Sequence, residues 1–200
     1  MTVQIQPVSI FRMIPAFSLP ENNAPITGEE LFSMGDIGRT ELVKGEIIFM
    51  SPTDYLHGFI EVNFSSLLRK CVGKHKLGRV LGGEVGIYTA RNPDTVRGAD
   101  VAFISNERLA QAKSKSFLDV APELIVEVLS PDDRWRDINA KLKEYFAIGA
   151  QVVWVADPQS RQVHVYRSLT NIAILSGNDT LTAEDILPDF SAPVSNFFEE

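Results

Sequence analysis

The most constraining feature of the sequence is a short apolar segment, ELIVEVLS at residues 123–130, that carries an acid in its interior. Its apolar residues are Leu124, Ile125, Val126, Val128 and Leu129. Residues of these types in an unbroken run favour a β-strand that is packed on both faces. Glu127 lies in the middle of this strand, where an ionised carboxylate is costly unless a cation pairs with it. The segment therefore predicts a buried strand with a charged partner near Glu127.

The elements around this strand follow a definite order. The sequence predicts a helix over 55–72, strands over 78–90, 97–105 and 122–130, a helix over 134–149 that Gly149 ends, and a strand over 151–158. This order of helix, three strands, helix and strand builds an α/β layer in which the second and third strands can lie side by side. We expect one carboxylate from each of these two strands at one edge of the sheet.

Further segments flank this core. Residues 1–26 contain four prolines and are typical of an extended arm. A hairpin is predicted over 40–52, and a meander of two strands over 161–177. Because 200 residues with 44% hydrophobic content can bury one sizeable core, we expect a single domain over 27–200 behind the arm.

Charge, cysteine content and hydropathy exclude several classes of protein. The net charge of −7 argues against broad, non-specific binding of nucleic acid, although the metal-binding carboxylates of a nuclease would contribute to that charge. Cys71 is the only cysteine, which excludes an internal disulfide and a Cys-rich zinc site and favours a reducing cytoplasm. The chain has no apolar run of the roughly 18–20 residues that span a membrane and no charged leader before an apolar block, so we expect neither a membrane segment nor a secretory signal.

Two acids show the same pattern on neighbouring strands. Alternation along a strand puts Asp100 on the face opposite Ala99 and Val101, and it puts Glu127 on the face of Ile125. Each acid is thus alone on an otherwise apolar face. Two carboxylates side by side repel, so one stays protonated unless a cation lies between them. Mg²⁺ is suitable because it prefers oxygen ligands, keeps several waters and takes one or two protein carboxylates.

A lysine on the following helix is placed to reach these acids. The inward stripe of this helix consists of Ile138, Leu142, Tyr145 and Gly149. At about 100° per residue, Lys141 lies roughly 60° from Ile138, at the flank of the stripe, whereas Lys143 lies roughly 140° away and points to solvent. We therefore expect Lys141 to lean into the site, and we expect its replacement to leave folding nearly intact.

Together these segments resemble the PD-(D/E)XK nuclease superfamily, and more closely a large bacterial family of restriction-endonuclease-like proteins. The matching motifs, in chain order over about residues 27–197, are GEIIFMSPTDYLHG, ADVAFI, PELIVEVLSPDDR, DINAKLKEY and GAQVVWVADP. The resemblance implies an α/β (α+β) fold with a restriction-endonuclease-like core, in which helices flank a mixed central sheet. The hairpin and the meander would be N-terminal and C-terminal additions to this core.

The resemblance also implies roles for single residues. Asp100 and Glu127 would bind metal. The catalytic lysine would be Lys141, moved to the helix, since Leu129 fills the usual Glu-X-Lys position. Where the superfamily begins its motif with Pro-Asp, this chain has alanine before Asp100, which leaves the acid in place. We expect Asp100, Glu127 and the backbone carbonyl of Val128 to hold one or two Mg²⁺ or Mn²⁺ ions.

Further residues are candidates for accessory roles. Glu84 is either a third ligand or a salt-bridge partner. His57 matches the family's histidine before the long helix, with Glu61 one turn later, and capping or packing is favoured over ligation. Tyr145 matches a family position, although an aromatic residue on an inward stripe is usually part of the core. Glu127 itself has a structural alternative, an ion pair with an arginine or a lysine.

Two functions fit this set of residues. The first is a metal-dependent endonuclease that hydrolyses phosphodiester bonds of DNA, and it is favoured because Asp100, Glu127 and Lys141 are all present. The second is a nuclease-like scaffold that binds nucleic acid or a protein partner without cutting. We also expect a homodimer, because the arm over 1–26 and the apolar tail PVSNFFEE over 193–200 look under-buried for a monomer. Two sites related by a two-fold axis would also suit cleavage of a duplex.

Overall fold

The computed structural model describes residues 24–199. The arm predicted for residues 1–26 lies outside the described residues except for its last three, of which Ile26 is buried and donates its N–H to the Gly45 carbonyl at 2.9 Å. The helices in the described part are α1 (Gly28–Ser33), α2 (Tyr55–His75), α3 (Asn106–Leu109), α4 (Trp135–Ile148) and α5 (Ser195–Phe198). The strands are β1 (Thr40–Val43), β2 (Glu46–Phe49), β3 (Gly78–Ala90), β4 (Thr95–Ser105), β5 (Leu124–Val128), β6 (Val152–Asp157), β7 (Gln162–Tyr166), β8 (Ile172–Ser176), β9 (Thr180–Thr182) and β10 (Ser191–Pro193).

The predicted order of elements is confirmed. α2, β3, β4, β5, α4 and β6 follow one another as helix, three strands, helix and strand, with the short α3 inserted between β4 and β5. β1 and β2 form the N-terminal hairpin, which turns at Lys44 and Gly45 with positive φ angles of 53° and 80°. Such angles suit a tight hairpin turn, and glycine adopts them without steric cost. β7 and β8 form the predicted C-terminal meander.

One mixed sheet organises the molecule, in the order β2–β1–β4–β5–β6–β7–β8, with β3 also paired to β4. The β5–β6 pair is parallel and the pairs on either side of it are antiparallel, which confirms the mixed architecture. β3 pairs along nearly all of β4, so β1 and β5 share the opposite edge of β4. β1 pairs there at Val96 and β5 at Val101–Phe103. Between these two contacts, residues 97–100 have no registered strand partner on that edge in the described part of the chain.

Helices cover both faces of the sheet. α2 packs Phe64 and Leu68 against one face, where Trp154 of β6 is fully buried. α4 packs Ile138 and Leu142 of its predicted stripe against the other face. Every residue of β5 is buried, as predicted for a strand packed on both faces. Within residues 24–199, no helix has the length and apolar character needed to cross a bilayer.

The C-terminal tail is buried, which corrects the expectation that it is under-buried in a monomer. α5 packs on α2, where Phe197 has no exposed surface and stacks its ring on Phe64 with the centroids 4.2 Å apart. Phe198 is buried as well. The expectation was wrong because an apolar tail does not reveal, in sequence, the surface of the same chain that receives it. The tail consequently gives no support to a homodimer.

Strand β4 departs from strict alternation beside the candidate acid. Val101 packs on the α2 side of the sheet, whereas Ala99 packs on the α4 side, so the prediction that the two share a face is wrong. The neighbouring strand is irregular at the same place, where the pairing of β3 with β4 shifts between Gly82 and Val85. β3 carries an extra residue there, and Glu84 in this bulge has a φ angle of 61°. A bulge of this kind increases the local twist and re-aims the side chains next to it.

Candidate active site

The two predicted acids lie where the edge of β4 loses its strand partner. Val101 pairs with Val126, and the registered pairing of β4 with β5 ends there. Two residues further along β5, the Val128 N–H donates to Asp100 Oδ2 at 2.6 Å. The Asp100 side chain thus satisfies an amide that would otherwise need a strand carbonyl. This bond holds the Asp100 carboxylate beside the residue that follows Glu127. Val128 contacts Asp100 through its backbone N–H. Coordination of a metal ion by the Val128 carbonyl stays a prediction.

Glu127 faces a tyrosine and a lysine of α4. The Tyr145 hydroxyl donates to Glu127 Oε1 at 2.6 Å, and Lys141 Nζ lies 2.8 Å from Glu127 Oε2. Burial raises the pKa of Glu127 to about 7, against the attraction of Lys141. Lys143, two residues along the helix, is exposed, as the helical spacing predicts. The buried acid of the central strand therefore has a charged partner on the helix that covers it.

The Lys141 amine is surrounded by three acceptors. In addition to Glu127, it contacts Glu41 Oε1 at 3.0 Å and the Gly98 carbonyl at 3.3 Å. Burial lowers the pKa of Lys141, but attraction by Glu127 and Glu41 outweighs burial and raises the pKa above its ordinary value. Lys141 is therefore a fixed positive charge in this site.

Glu41 on β1 is a site residue that the sequence analysis missed. Its buried carboxylate accepts the Gly98 N–H at 3.2 Å and a bond of 2.9 Å from Arg97. Arg97 in turn donates two bonds of 2.7 Å to Glu144 of α4, which clamps its guanidinium. A signal existed, because Glu41 is a lone acid in a predicted strand, like the other two acids. Its contact with Lys141 depends on β1 and β5 sharing an edge of β4, which no local pattern reveals.

A second group of possible ligands surrounds Asp100. One ligand atom from each of His57, Glu61 and Asp100 lies within 4.8 Å of the others, so this cluster can hold a metal ion. His57 Nε2 is 3.4 Å from Asp100 Oδ2, and His57 Nδ1 is buried without a hydrogen-bond partner in the described residues. The Glu61 carboxylate accepts the Gly83 N–H at 2.8 Å. The capping role considered for His57 belongs to Asp54, whose side chain accepts the His57 backbone N–H.

Glu84 and Arg39 complete the surroundings of Asp100. The Arg39 guanidinium forms a salt bridge with Glu84 and lies 3.9 Å from Asp100 Oδ1. Burial, together with repulsion by Asp100, raises the pKa of Glu84 to about 8. Burial acts on Asp100 in the same direction, but the hydrogen bond and charge of His57 outweigh it, so the pKa of Asp100 lies below its usual value. The contact that Glu84 makes is that of a salt-bridge partner.

A cavity of about 680 Å³ borders these groups, which is within the range of ligand-binding clefts. The ionisable residues of the site that line it are Arg39, Glu41, His57, Arg97, Asp100, Glu127 and Lys141. The other sequence candidates lie behind this lining, with Tyr145 on Glu127 and with Glu61 and Glu84 near Asp100. The arrangement gathers acids and a fixed cation at one partly enclosed space, as hydrolysis of a charged ester requires.

The fold and the sequence both have known relatives, although no curated protein shows significant sequence similarity to the chain. The crystal structure of a putative nuclease from Anabaena variabilis ATCC 29413 superposes with a TM-score of 0.73, covering 87% of this chain and 98% of that chain at 19% sequence identity. At this identity the likeness concerns the fold. The family model described as "Uma2: Putative restriction endonuclease" matches residues 29–195, which is most of the chain. The chain therefore belongs to the Uma2 family of putative restriction endonucleases.

Proposed function

We propose that the protein is a Mg²⁺- or Mn²⁺-dependent endonuclease that hydrolyses phosphodiester bonds of DNA, related to the PD-(D/E)XK nucleases. The observation that carries this proposal is that the buried acids Asp100 and Glu127 and the part-buried Lys141 line one cavity, with Lys141 Nζ 2.8 Å from Glu127. Charged residues are rarely buried without a reason, and clustered buried acids at a cleft mark functional sites. The restriction-endonuclease description of the Uma2 family supports the same class of reaction.

The donor set fits a hard divalent cation. Asp100 and Glu127 offer carboxylate oxygens, and the carbonyl of Val128 would offer a third oxygen, which are the ligand types that Mg²⁺ prefers. His57 and Glu61 offer further ligand atoms beside Asp100. When bound, such an ion lowers the pKa of a coordinated water and neutralises charge on the phosphate oxygens.

Lys141 supplies the fixed positive charge of the proposed reaction. Its amine is held by Glu127, Glu41 and the Gly98 carbonyl, so it needs no reorganisation when charge builds on the phosphate. In a partly enclosed cavity its field is stronger than it would be in bulk water. The 2.6 Å bond from Tyr145 keeps the Glu127 carboxylate in one orientation. Glu41 and Tyr145 are therefore positioning residues in this mechanism.

A cleavage assay on Lys141 tests the proposal. The wild-type protein should cut at least one of plasmid, short duplex and single-stranded DNA with Mg²⁺ or Mn²⁺, and it should cut none of them with a chelator. Lys141→Gln removes the charge and keeps an N–H donor, and we expect cleavage to fall by about 10²-fold or more, as for other transition-state donors. Lys143→Gln, on the exposed face of the same helix, is the matched control and should cut as fast as wild type.

The stability of Lys141→Gln has to be measured together with its cleavage rate, because the structure corrects the expectation about folding. Loss of Lys141 was expected to leave folding nearly intact, but its amine contacts the buried carboxylates of Glu41 and Glu127. Removing one partner of a buried ion pair costs about 3–5 kcal/mol. Lys141→Gln should therefore melt below wild type, in a cooperative transition. A wild type that cuts nothing with either metal, or a folded Lys141→Gln that cuts as fast, would refute the nuclease proposal.

A nuclease-like scaffold that binds nucleic acid or a protein partner without cutting is the second candidate. One observation favours the absence of catalysis, because charges in ion pairs can be purely structural: in the described residues, every arginine and lysine that lines the cavity contacts an acid. These pairs are Arg39 with Glu84, Arg97 with Glu41, and Lys141 with Glu127. A protein that binds DNA but leaves it uncut under all metal conditions would have this function.

We also propose that the protein is a homodimer, since a two-fold axis is the commonest symmetry of soluble oligomers. The buried tail no longer supports this proposal. An exposed strand edge supports it instead, since β8 is the last strand of the sheet and its Ile172 and Ile174 are 46% and 56% exposed.

A further inference from the structure

One wall of the cavity is apolar and partly exposed. It is formed by the end of β2 and the loop that follows, with Ile48, Phe49, Met50 and Pro52 among its residues. Phe49 is 69% exposed, although it borders a cavity whose other walls are charged. A large aromatic ring that is exposed and lines such a cavity is available to contact a ligand.

The charges of the cavity do not suit a duplex. The lining also includes the exposed acids Asp132, Asp133 and Asp137. Each arginine and lysine of the lining is already in contact with a carboxylate in the described part of the chain. Duplex binding relies on basic residues that neutralise several phosphates, and this cavity offers none that is free to do so. An unpaired base can in addition stack on an aromatic ring, which is worth about 1–3 kcal/mol per base and is not open to a base inside a duplex.

The burial of the two acids also favours an unpaired nucleotide over a duplex. Asp100 and Glu127 are 3% and 5% exposed, so a phosphate reaches them only by entering the cavity. The volume of about 680 Å³ is that of a cleft for a single ligand of drug-like size. A base that follows its phosphate into such a space has to leave the base stack.

We propose that the cavity takes one unpaired nucleotide of a DNA strand, with its base stacked on Phe49 and its phosphate toward Asp100 and Glu127. This inference rests on the proposed nuclease function and names its substrate class, a single-stranded end or flap. Affinity then comes from stacking on the apolar wall more than from basic residues, which agrees with the net charge of −7.

Binding of fluorescent oligonucleotides tests this inference without any cleavage. Anisotropy is measured with Ca²⁺ replacing Mg²⁺, on one sequence offered as a single strand and as a blunt duplex. The single strand should bind about tenfold more tightly or better, and Phe49→Ala should remove about tenfold of its affinity, as expected for one stacked base. Phe32→Ala is the matched control, because Phe32 is a 55% exposed phenylalanine that does not line the cavity.

The outcomes separate this inference from the nuclease proposal. Equal or tighter binding of the duplex, or unchanged binding of the single strand by Phe49→Ala, would overturn the inference even if the protein cuts DNA. Phe49-dependent binding of the single strand by a protein that cuts nothing would support the inference and refute the nuclease proposal. Because Phe49 is largely exposed, its replacement should leave the melting temperature close to that of wild type.

Discussion

Glu41 controls how the Lys141 amine is held, since it contacts that amine at 3.0 Å and is itself fixed by Arg97. Glu41→Gln keeps the size of the side chain but removes the charge that stabilises both cations. We expect the free energy of unfolding to fall by about 1–3 kcal/mol, the usual cost of weakening a buried charged hydrogen bond. Cleavage should fall as well, because Lys141 is less firmly positioned. Urea unfolding and the cleavage assay measure the two effects.

The matched control for Glu41 lies in the same hairpin. Glu46 is an exposed acid at the start of β2, so Glu46→Gln removes the same charge without touching the site. Its unfolding free energy should stay within about 0.5 kcal/mol of wild type. If Glu41→Gln behaves like Glu46→Gln in both assays, Glu41 has no part in positioning Lys141.

Metal binding distinguishes the two sets of ligands that meet at Asp100. Asp100→Ala and Glu127→Ala should each weaken Mn²⁺ binding by at least about tenfold in calorimetry, since a divalent ion held by few carboxylates depends on each of them. His57→Ala should weaken it less. The opposite result, in which Glu127→Ala binds Mn²⁺ like wild type and His57→Ala does not, would place the ion among His57, Glu61 and Asp100.

Single residues of the site were predictable to the extent that local periodicity fixes the direction of a side chain. Alternation singled out Glu127, and the 100° step of a helix separated Lys141 from the exposed Lys143. Alternation also pointed to Asp100, although β4 departs from alternation beside this residue. Glu41 and Arg97 were not predictable in this way. Their contacts arise because β1 and β5 leave a gap between them on one edge of β4, and strand pairing over such sequence distances is a tertiary property.

At the scale of elements, α5 contributes to stability through a ring buried against α2. Phe197 has no exposed surface, and its ring stacks on Phe64 with an interplanar angle of 19°. Phe197→Ala should lower the free energy of unfolding by about 3–5 kcal/mol, because it removes a fully buried aromatic side chain and leaves a cavity. Val62→Ala on the exposed side of α2 is the control and should change it by less than about 0.5 kcal/mol. Equal urea midpoints for the two variants would mean that the tail is not docked in solution.

For the whole molecule, the order of elements was predictable and the order of strands in the sheet was not. Apolar runs, helical spacing and turn residues mark each strand and helix along the chain. They do not indicate that the hairpin strand β1 joins β4 rather than a neighbour in sequence, or that β3 and β5 take opposite edges of β4. The cavity of the candidate site depends on this arrangement, because it lies where β1 and β5 separate.

The predicted homodimer is a property of the whole molecule that the free edge of the sheet can explain. Ile172 and Ile174 project from β8, which has no second strand partner in the described residues. Pairing of β8 with β8 of a second copy about a two-fold axis would continue the sheet and bury these side chains in a self-complementary contact.

Light scattering at micromolar concentration should give twice the 22.2 kDa mass of the chain. Ile174→Lys should shift the mass to that of the monomer, since a charged side chain opposes burial at the edge, while Val62→Lys on exposed α2 should not. A wild-type mass of 22.2 kDa would contradict the dimer, and a dimer that survives Ile174→Lys would assign the contact to another surface.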